Sequence, residues 1–323
     1  MIIKDAQKLF LQSLIDIGRS SNTIKSYQID LDQLLYFLDK HFLGNMKIDD
    51  LTYPLISQFF QESTSHLAMS TQKRKRIVLK RFLRFCYQKK LCKTKVWELV
   101  DVVHFKNTQG PKEVLSKDEI QQIFQLLNQE IENKIKTINQ SFTPNQKQLH
   151  QLYVLFRNRL LVYILLFTGC RAYEAVSIKK SNLKLMTNTL GIIAKGKKYN
   201  EIPIHIQLKY AFFEYENGIQ MLQQAGYLLP ESPWLFPSIY NSENHISTRT
   251  LYDFMLELSA HLERKIHAHL FRHTFASYSI AAGMNIRTLA SIISHANPSI
   301  TLSTYTHEID AKQKQEEMQK LVF

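Results

Sequence analysis

The chain has 323 residues, 45% of them apolar, with only 9 Gly and 8 Pro; it is long enough for two domains with sizeable cores, and its composition disfavours a many-turned β architecture. Forty-one Lys and Arg against 28 Asp and Glu leave a formal charge of +13, which suits a polyanion partner, nucleic acid before membrane. Three cysteines unpaired by spacing argue against a disulfide scaffold and for a reducing cytoplasm, and the opening Met1-Ile2-Ile3-Lys4-Asp5 does not read as a signal peptide.

Residues 4–17 predict a first amphipathic helix. Ser20-Ser21-Asn22-Thr23 caps a second, with Ile24, Tyr27, Leu31, Leu34, Leu35 and Leu38 at helical spacing. Pro54 opens a third through Ile56, Phe59 and Phe60. A fourth follows Ser70, with Val78, Phe82, Phe85 and Cys86 on an inner face and Lys73, Arg76, Lys80 and Arg84 on another. No acidic residue occurs from Ser63 to Trp97, where Lys73, Arg74, Arg76, Lys80 and Arg84 gather. A solvated face mixes signs, so a one-signed face points to phosphates. Gly110-Pro111 marks a linker over 105–113, between domains at 1–104 and 114–323.

Ser116-Lys117-Asp118-Glu119 is a capping box that starts the next helix. Residues 132–150, polar and containing Pro144, read as a loop or a helical insertion. A long helix over about 150–168 ends at Gly169. Its apolar run, Leu160 to Phe167, is too short to cross a bilayer and reads as core, so no membrane insertion is expected. Leu190 to Ile206 carries the one good strand signal, a hairpin with the basic turn Lys195-Gly196-Lys197-Lys198. Helices are expected after residue 208, one of them opened by Ser247-Thr248-Arg249-Thr250.

Two segments carry chemistry. One is Thr168-Gly169-Cys170-Arg171-Ala172-Tyr173-Glu174; the other runs from His269-Leu270-Phe271-Arg272-His273 to His295 and Tyr305. Attack on a phosphodiester builds negative charge on the non-bridging oxygens. Arg is the best clamp for it, being planar, forked and always charged. Arg171 follows a helix end, and Arg272 lies one helical turn after His269. Taken alone, Arg171 could equally form a surface ion pair with Glu174. Histidine supplies further donors and a proton acceptor near neutral pH, with His269 and His295 the candidates. His269 and His273 share the four-residue spacing of zinc ligands, but Leu270 stands where a zinc site needs Glu, so no metal is expected and His273 reads as a buried structural residue. The departing 5′-oxygen needs a proton, which Lys195 can supply if its pKa is lowered; Lys197 and Lys198 are alternatives for that role or for phosphate contact. Tyr305 is one of 15 tyrosines and is singled out by position alone. A tyrosine nucleophile would store the bond energy in a phosphotyrosyl ester, so rejoining would need no ATP and no cofactor.

Jointly, these residues resemble the tyrosine recombinase (phage integrase) family, and its Xer branch most, across nearly the whole chain. Ser21-Asn22-Thr23-Ile24-Lys25-Ser26-Tyr27 near the start and Thr301-Leu302-Ser303-Thr304-Tyr305-Thr306-His307 at the end carry that likeness. By position Arg171 matches the first catalytic arginine, Glu174 its supporting acid, Lys195 the hairpin lysine, His269 and Arg272 the His-x-x-Arg pair, His295 the third-motif histidine and Tyr305 the nucleophile. Phe271 stands where the family usually has Leu, and Ser294 where it usually has Gly; neither change removes a reacting group. The resemblance implies a mainly α fold with a small antiparallel sheet. Two domains, helical core-binding and mixed α/β catalytic, would form a C-shaped clamp on double-stranded DNA. It implies a specific recombination site, a tetramer holding two duplexes, a Holliday junction, and residues 308–323 docking into a neighbouring protomer. For the Xer branch it implies resolution of chromosome dimers at a dif-like site in the cytoplasm, on the nucleoid, with a DNA translocase of the cell-division machinery as partner.

Two other readings share the chemistry: an integrase of a mobile element, and a type IB topoisomerase that relaxes supercoils without site choice. A third is a DNA-binding protein that has lost catalysis, against which the intact set of six stands. Arg249, on the helix opened by Ser247, could approach a groove.

Overall fold

The computed structural model describes residues 1–101, 113–140, 144–194 and 198–294. The chain divides into two compact units, Met1–Thr108 and Gln109–Phe323. The expected linker at 105–113 lies almost wholly outside the described residues.

The first unit is built from α1 (Ile3–Asp16), α2 (Ser21–Lys40), α3 (Tyr53–Thr64) and α4 (Met69–Gln88). Ser20 caps α2 by accepting from the Thr23 amide at 3.3 Å. Pro54 sits in the first turn of α3, where its missing N–H costs no hydrogen bond. Their apolar stripes meet in an aromatic core of Phe10, Phe37, Phe59, Phe60 and Phe82, all buried.

The second unit centres on α6 (Gln146–Thr168), which packs against α5 (Lys117–Asn139), α8 (Ile206–Gln224) and α10 (Ala268–Ala281). By length and composition α6 could cross a membrane, contrary to the reading of a short run, but 67% of its apolar window is buried inside the protein. It is the core helix. The Ser116–Glu119 capping box forms, with Glu119 accepting from the Ser116 amide at 2.7 Å and Ser116 from the Glu119 amide at 3.1 Å. Of the two readings of 132–150, the loop does not hold for 132–139: these residues are helical and continue α5, whose last turns bury Ile131 and Ile138. Lys, Asn and Thr on the outer face hid that stripe.

The sheet has three antiparallel strands in the order β1–β2–β3. β2 (Thr189–Ala194) and β3 (Lys198–Pro203) form the expected hairpin, paired from Thr189↔Pro203 to Ala194↔Lys198. β1 (Leu183–Lys184) has two residues, too few to show a period, and was missed. Residues after 208 are not all helical. Between α8 and α9 (Thr248–His261), residues 225–247 run as turns, with two isolated bridges, Lys179↔Trp234 and Pro237↔His245. α7 (Ala172–Val176) and α11 (Ile286–Ile292) complete the α-helices among the described residues.

Candidate active site

α6 stops at Thr168 because the next residue, Gly169, takes a left-handed conformation (φ +60°). A side chain there would be strained, and a Cβ would fall 2.4 Å from Phe275 Cδ1. Thr168 Oγ1 accepts from the Cys170 amide at 3.1 Å and fixes the turn. Arg171 follows, extended, as the residue before α7.

Glu174 holds Arg171 twice. Its Oε2 accepts from the Arg171 backbone N–H at 2.8 Å, and its Oε1 accepts from Nη1 at 2.9 Å. The Glu174 side chain is 3% exposed and that of Arg171 is 37% exposed. This is therefore not a surface ion pair. A buried carboxylate steers a guanidinium that stays open to solvent. Cys170 takes no part: burial pushes its thiol up to about 12, so it carries no thiolate at neutral pH.

α10 supplies the second cluster. His267 caps it, Nδ1 accepting from the Leu270 amide at 3.0 Å. Burial lowers the pKa of His267, which favours the neutral ring this bond requires. His269 is exposed and stacks edge-on with half-buried His273, ring centres 4.6 Å apart. His273 is thus less buried than the motif suggested. Among the described residues no three His, Cys, Asp or Glu side chains converge as a metal site. Arg272 is the most enclosed of the set, 2% exposed. Nη1 donates to the Gly169 carbonyl at 2.8 Å and Nη2 to the Ile293 carbonyl at 2.7 Å. One guanidinium therefore joins the turn before Arg171 to the end of α11, just before His295. Lys195, Lys197, His295, Tyr305 and the tail 308–323 lie outside the described residues.

The starts of α7, α9 and α10 converge on a cleft of about 370 Å³ lined by Ala172, Arg249, Tyr252, Met255 and His267, among others. Arg249 is salt-bridged to Asp253 at 2.8 Å and lies over the Tyr252 ring at 5.1 Å. A larger cavity, about 960 Å³ between α8 and the segment around β1, holds none of the motif residues. Lys198 is exposed on β3.

In the first unit the cations of α4 differ in their engagements. Arg74 donates to Asp30 Oδ1 at 2.9 Å and to Ser26 at 3.0 Å. Lys75, which the sequence did not single out, is buried against the same Asp30 at 2.7 Å. Arg76 lies 4.0 Å over the Phe60 ring, and Lys80 donates to the Val100 carbonyl at 3.1 Å. Lys73 is half-buried and Arg84 is exposed. Arg84 shares with Arg19, Lys80 and Arg81 a groove of about 690 Å³ floored by Phe10, Phe85 and Trp97.

Sequence reasoning also missed Asn200 and His267. His267 could have been found as a polar residue just before the helical motif; Asn200 left no local signal, because its partners lie 91 to 94 residues away.

Residues 113–312 match the phage integrase family, and residues 8–90 match the phage integrase N-terminal SAM-like domain. Tyrosine recombinase XerC of Staphylococcus aureus (strain JH9) is 25% identical over 307 residues, covering 93% of this chain and 91% of that protein. XerH site-specific recombinase, solved bound to difH substrate in a pre-cleavage complex, superposes with a TM-score of 0.63 at 22% identity, over 92% of this chain and 79% of that one. The Tn1549 transposon integrase, solved with a circular intermediate DNA, also gives 0.63, at 18% identity, over 98% and 99% of the two chains. With a family model spanning more than half of the chain, this protein belongs to the phage integrase family and is a tyrosine recombinase.

Proposed function

We propose that the chain cuts and rejoins double-stranded DNA at a specific site, with Tyr305 as nucleophile. The Tyr305 oxygen attacks the phosphorus while His269 or His295 takes the phenolic proton. The bond to the 5′-oxygen breaks, and Lys195 protonates that oxygen. The products are a 3′-phosphotyrosyl ester and a free 5′-hydroxyl. Arg171 and Arg272 bear the charge that develops on the non-bridging oxygens, where a preorganised donor is worth ~10²–10³ in rate. Attack by another 5′-hydroxyl reverses the chemistry and exchanges strands. The observation that carries this reading is the Arg272 bridge from Gly169 to Ile293, which ties together two sequence-distant parts of the motif.

Residues 1–104 act as the core-binding domain and 114–323 as the catalytic one. Lys73, Arg76, Lys80, Arg84, Lys197, Lys198 and Arg249 meet phosphates or groove, and Arg74 contributes charge beside its Asp30 pair. Four protomers hold two duplexes, and the tail 308–323 links neighbours. Exchange proceeds through a Holliday junction.

For the biological role we favour resolution of chromosome dimers at a dif-like site in the cytoplasm, with a translocase as activator. The likeness to XerC over 93% of this chain supports that choice. The second reading, integration or excision of a mobile element, is supported by the equal structural likeness to the Tn1549 transposon integrase. Covalent trapping across genomic fragments separates the two. A single chromosomal locus supports dimer resolution; the ends of a mobile element support the second reading; relaxation of supercoils without site choice contradicts both.

A further inference from the structure

α11 ends on bonds from side chains far away in the sequence as well as on its own backbone. The Ser294 amide closes the last turn on the Ser291 carbonyl at 3.1 Å, while the carbonyls of Ile292 and Ile293 lie past the helix's own ladder. Ser294, the residue past the cap, takes φ +54°. That left-handed position is one that glycine fills without cost and serine does not.

Side chains from elsewhere in the second unit satisfy this end. Asn200, on β3, directs its Nδ2 to the Ser291 carbonyl at 2.9 Å, the Ile292 carbonyl at 3.1 Å and Ser294 Oγ at 2.9 Å. Arg272 takes the next carbonyl, that of Ile293, at 2.7 Å. Asn200 also sits in a fixed place, paired with Ile192 across the hairpin. Ile293 in turn packs on Gly169, its Cγ2 being 3.1 Å from where a Cβ would stand. Asn200, Ser294, Ile293, Arg272 and Gly169 are thus linked in series. The chain of contacts runs from the hairpin strand to the turn that precedes Arg171.

We propose that Asn200 is a positioning residue for DNA cleavage. It holds Ser294 in the left-handed conformation, fixes the Ile293 carbonyl, and so sets the guanidinium of Arg272. An Arg272 displaced by about 1 Å would bind DNA as before but stabilise the transition state less, a loss of ~10²-fold in the chemical step. The inference rests on the reading that Arg272 clamps the reacting phosphate.

The test uses the full chain and a nicked suicide duplex carrying the recombination site recovered by genomic trapping. It reads DNA affinity, the single-turnover rate of covalent attachment and the thermal midpoint. Asn200→Ala should lower attachment ~10²-fold at saturating DNA, with affinity within about threefold of the parent. Adding Ser294→Gly should restore most of the rate, because glycine holds the turn without the Asn200 bonds. A role in general stability alone would lower the midpoint without this split and without rescue at a temperature where both variants are folded. An unchanged rate in Asn200→Ala, a loss confined to affinity, or a failure of Ser294→Gly to rescue folded protein overturns the inference. Arg272→Ala run alongside separates the two claims. If it attaches at the parental rate, the reading of Arg272 has failed; if it is dead while Asn200→Ala is unimpaired, only the role of Asn200 has.

Discussion

Arg272 donates to the carbonyl of Gly169 at 2.8 Å across 103 residues of sequence. The partner is main chain, in the turn that delivers Arg171. The two arginines are held by different groups: Arg272 by the Gly169 and Ile293 carbonyls, Arg171 by the buried carboxylate of Glu174. A cationic site needs such supports before a phosphate arrives, because buried charge without partners is costly.

Replacing Arg272 should damage stability and catalysis together. Arg272→Lys cannot reach both carbonyls, and a buried carbonyl left without its donor costs ~1–3 kcal/mol. We expect a lower thermal midpoint in calorimetry and at least a 10²-fold loss of covalent attachment to a suicide substrate. A variant with the parental midpoint and rate would contradict the assignment.

Glu174 separates the charge of the support from its shape. Glu174→Gln keeps an acceptor for the Arg171 amide but loses the charge-assisted bond to Nη1, worth ~1.5–3 kcal/mol. It should cleave about 10-fold more slowly, and Glu174→Ala more slowly still. Parental rates for both in single-turnover cleavage would remove Glu174 from the positioning of Arg171.

Gly169→Ala meets two obstacles: φ +60° and a Cβ 2.4 Å from the Phe275 ring. Strain and overpacking together should cost ~2–4 kcal/mol in chemical denaturation. A cost below about 1 kcal/mol would mean that the turn adjusts freely, and that the carbonyl on which Arg272 depends is not held.

The basic face of α4 should divide by function. Arg74 is salt-bridged to buried Asp30, so Arg74→Ala should lower stability. Arg84 is exposed and, among the described residues, in no ion pair, so Arg84→Ala should leave the midpoint unchanged. In that variant the slope of log affinity against log salt should shrink by about 1. The reverse pattern would assign Arg84 to the fold and Arg74 to DNA.

Stability should fall on the alkaline side. Burial pushes the Cys86 and Cys170 thiols up to about 12 from an ordinary value near 9. Above pH ~9 the unfolded chain sheds two protons that the folded chain keeps, so the stabilisation is complete below that pH and is lost as pH rises, by ~1.4 kcal/mol per unit per thiol. Buried Tyr153, pushed up to about 12, adds to the loss above pH ~10. Denaturation midpoints between pH 8 and 11 should drop steeply, and Cys86→Ala with Cys170→Ala should flatten the drop; identical slopes would contradict it.

The local signals were legible. Ser20, Ser116, Gly169 and Ser247 mark helix ends in the sequence, and each acts at one in the fold. What stayed hidden was non-local or too short to show a period: β1 with its two residues, the continuation of α5 under polar cover, the turns of 225–247, and side chains whose partners lie far along the chain. Lys75 looked like one more surface cation and is buried on Asp30. Asn200, on β3, carries no local signal for its bonds to a helix end 91 residues away.

The most direct measurement is the identity of the residue joined to DNA. A suicide duplex, digestion and mass spectrometry of the nucleotide-bearing peptide should give Tyr305, with no adduct in Tyr305→Phe. An adduct on a different residue, or one that persists in Tyr305→Phe, would contradict the account.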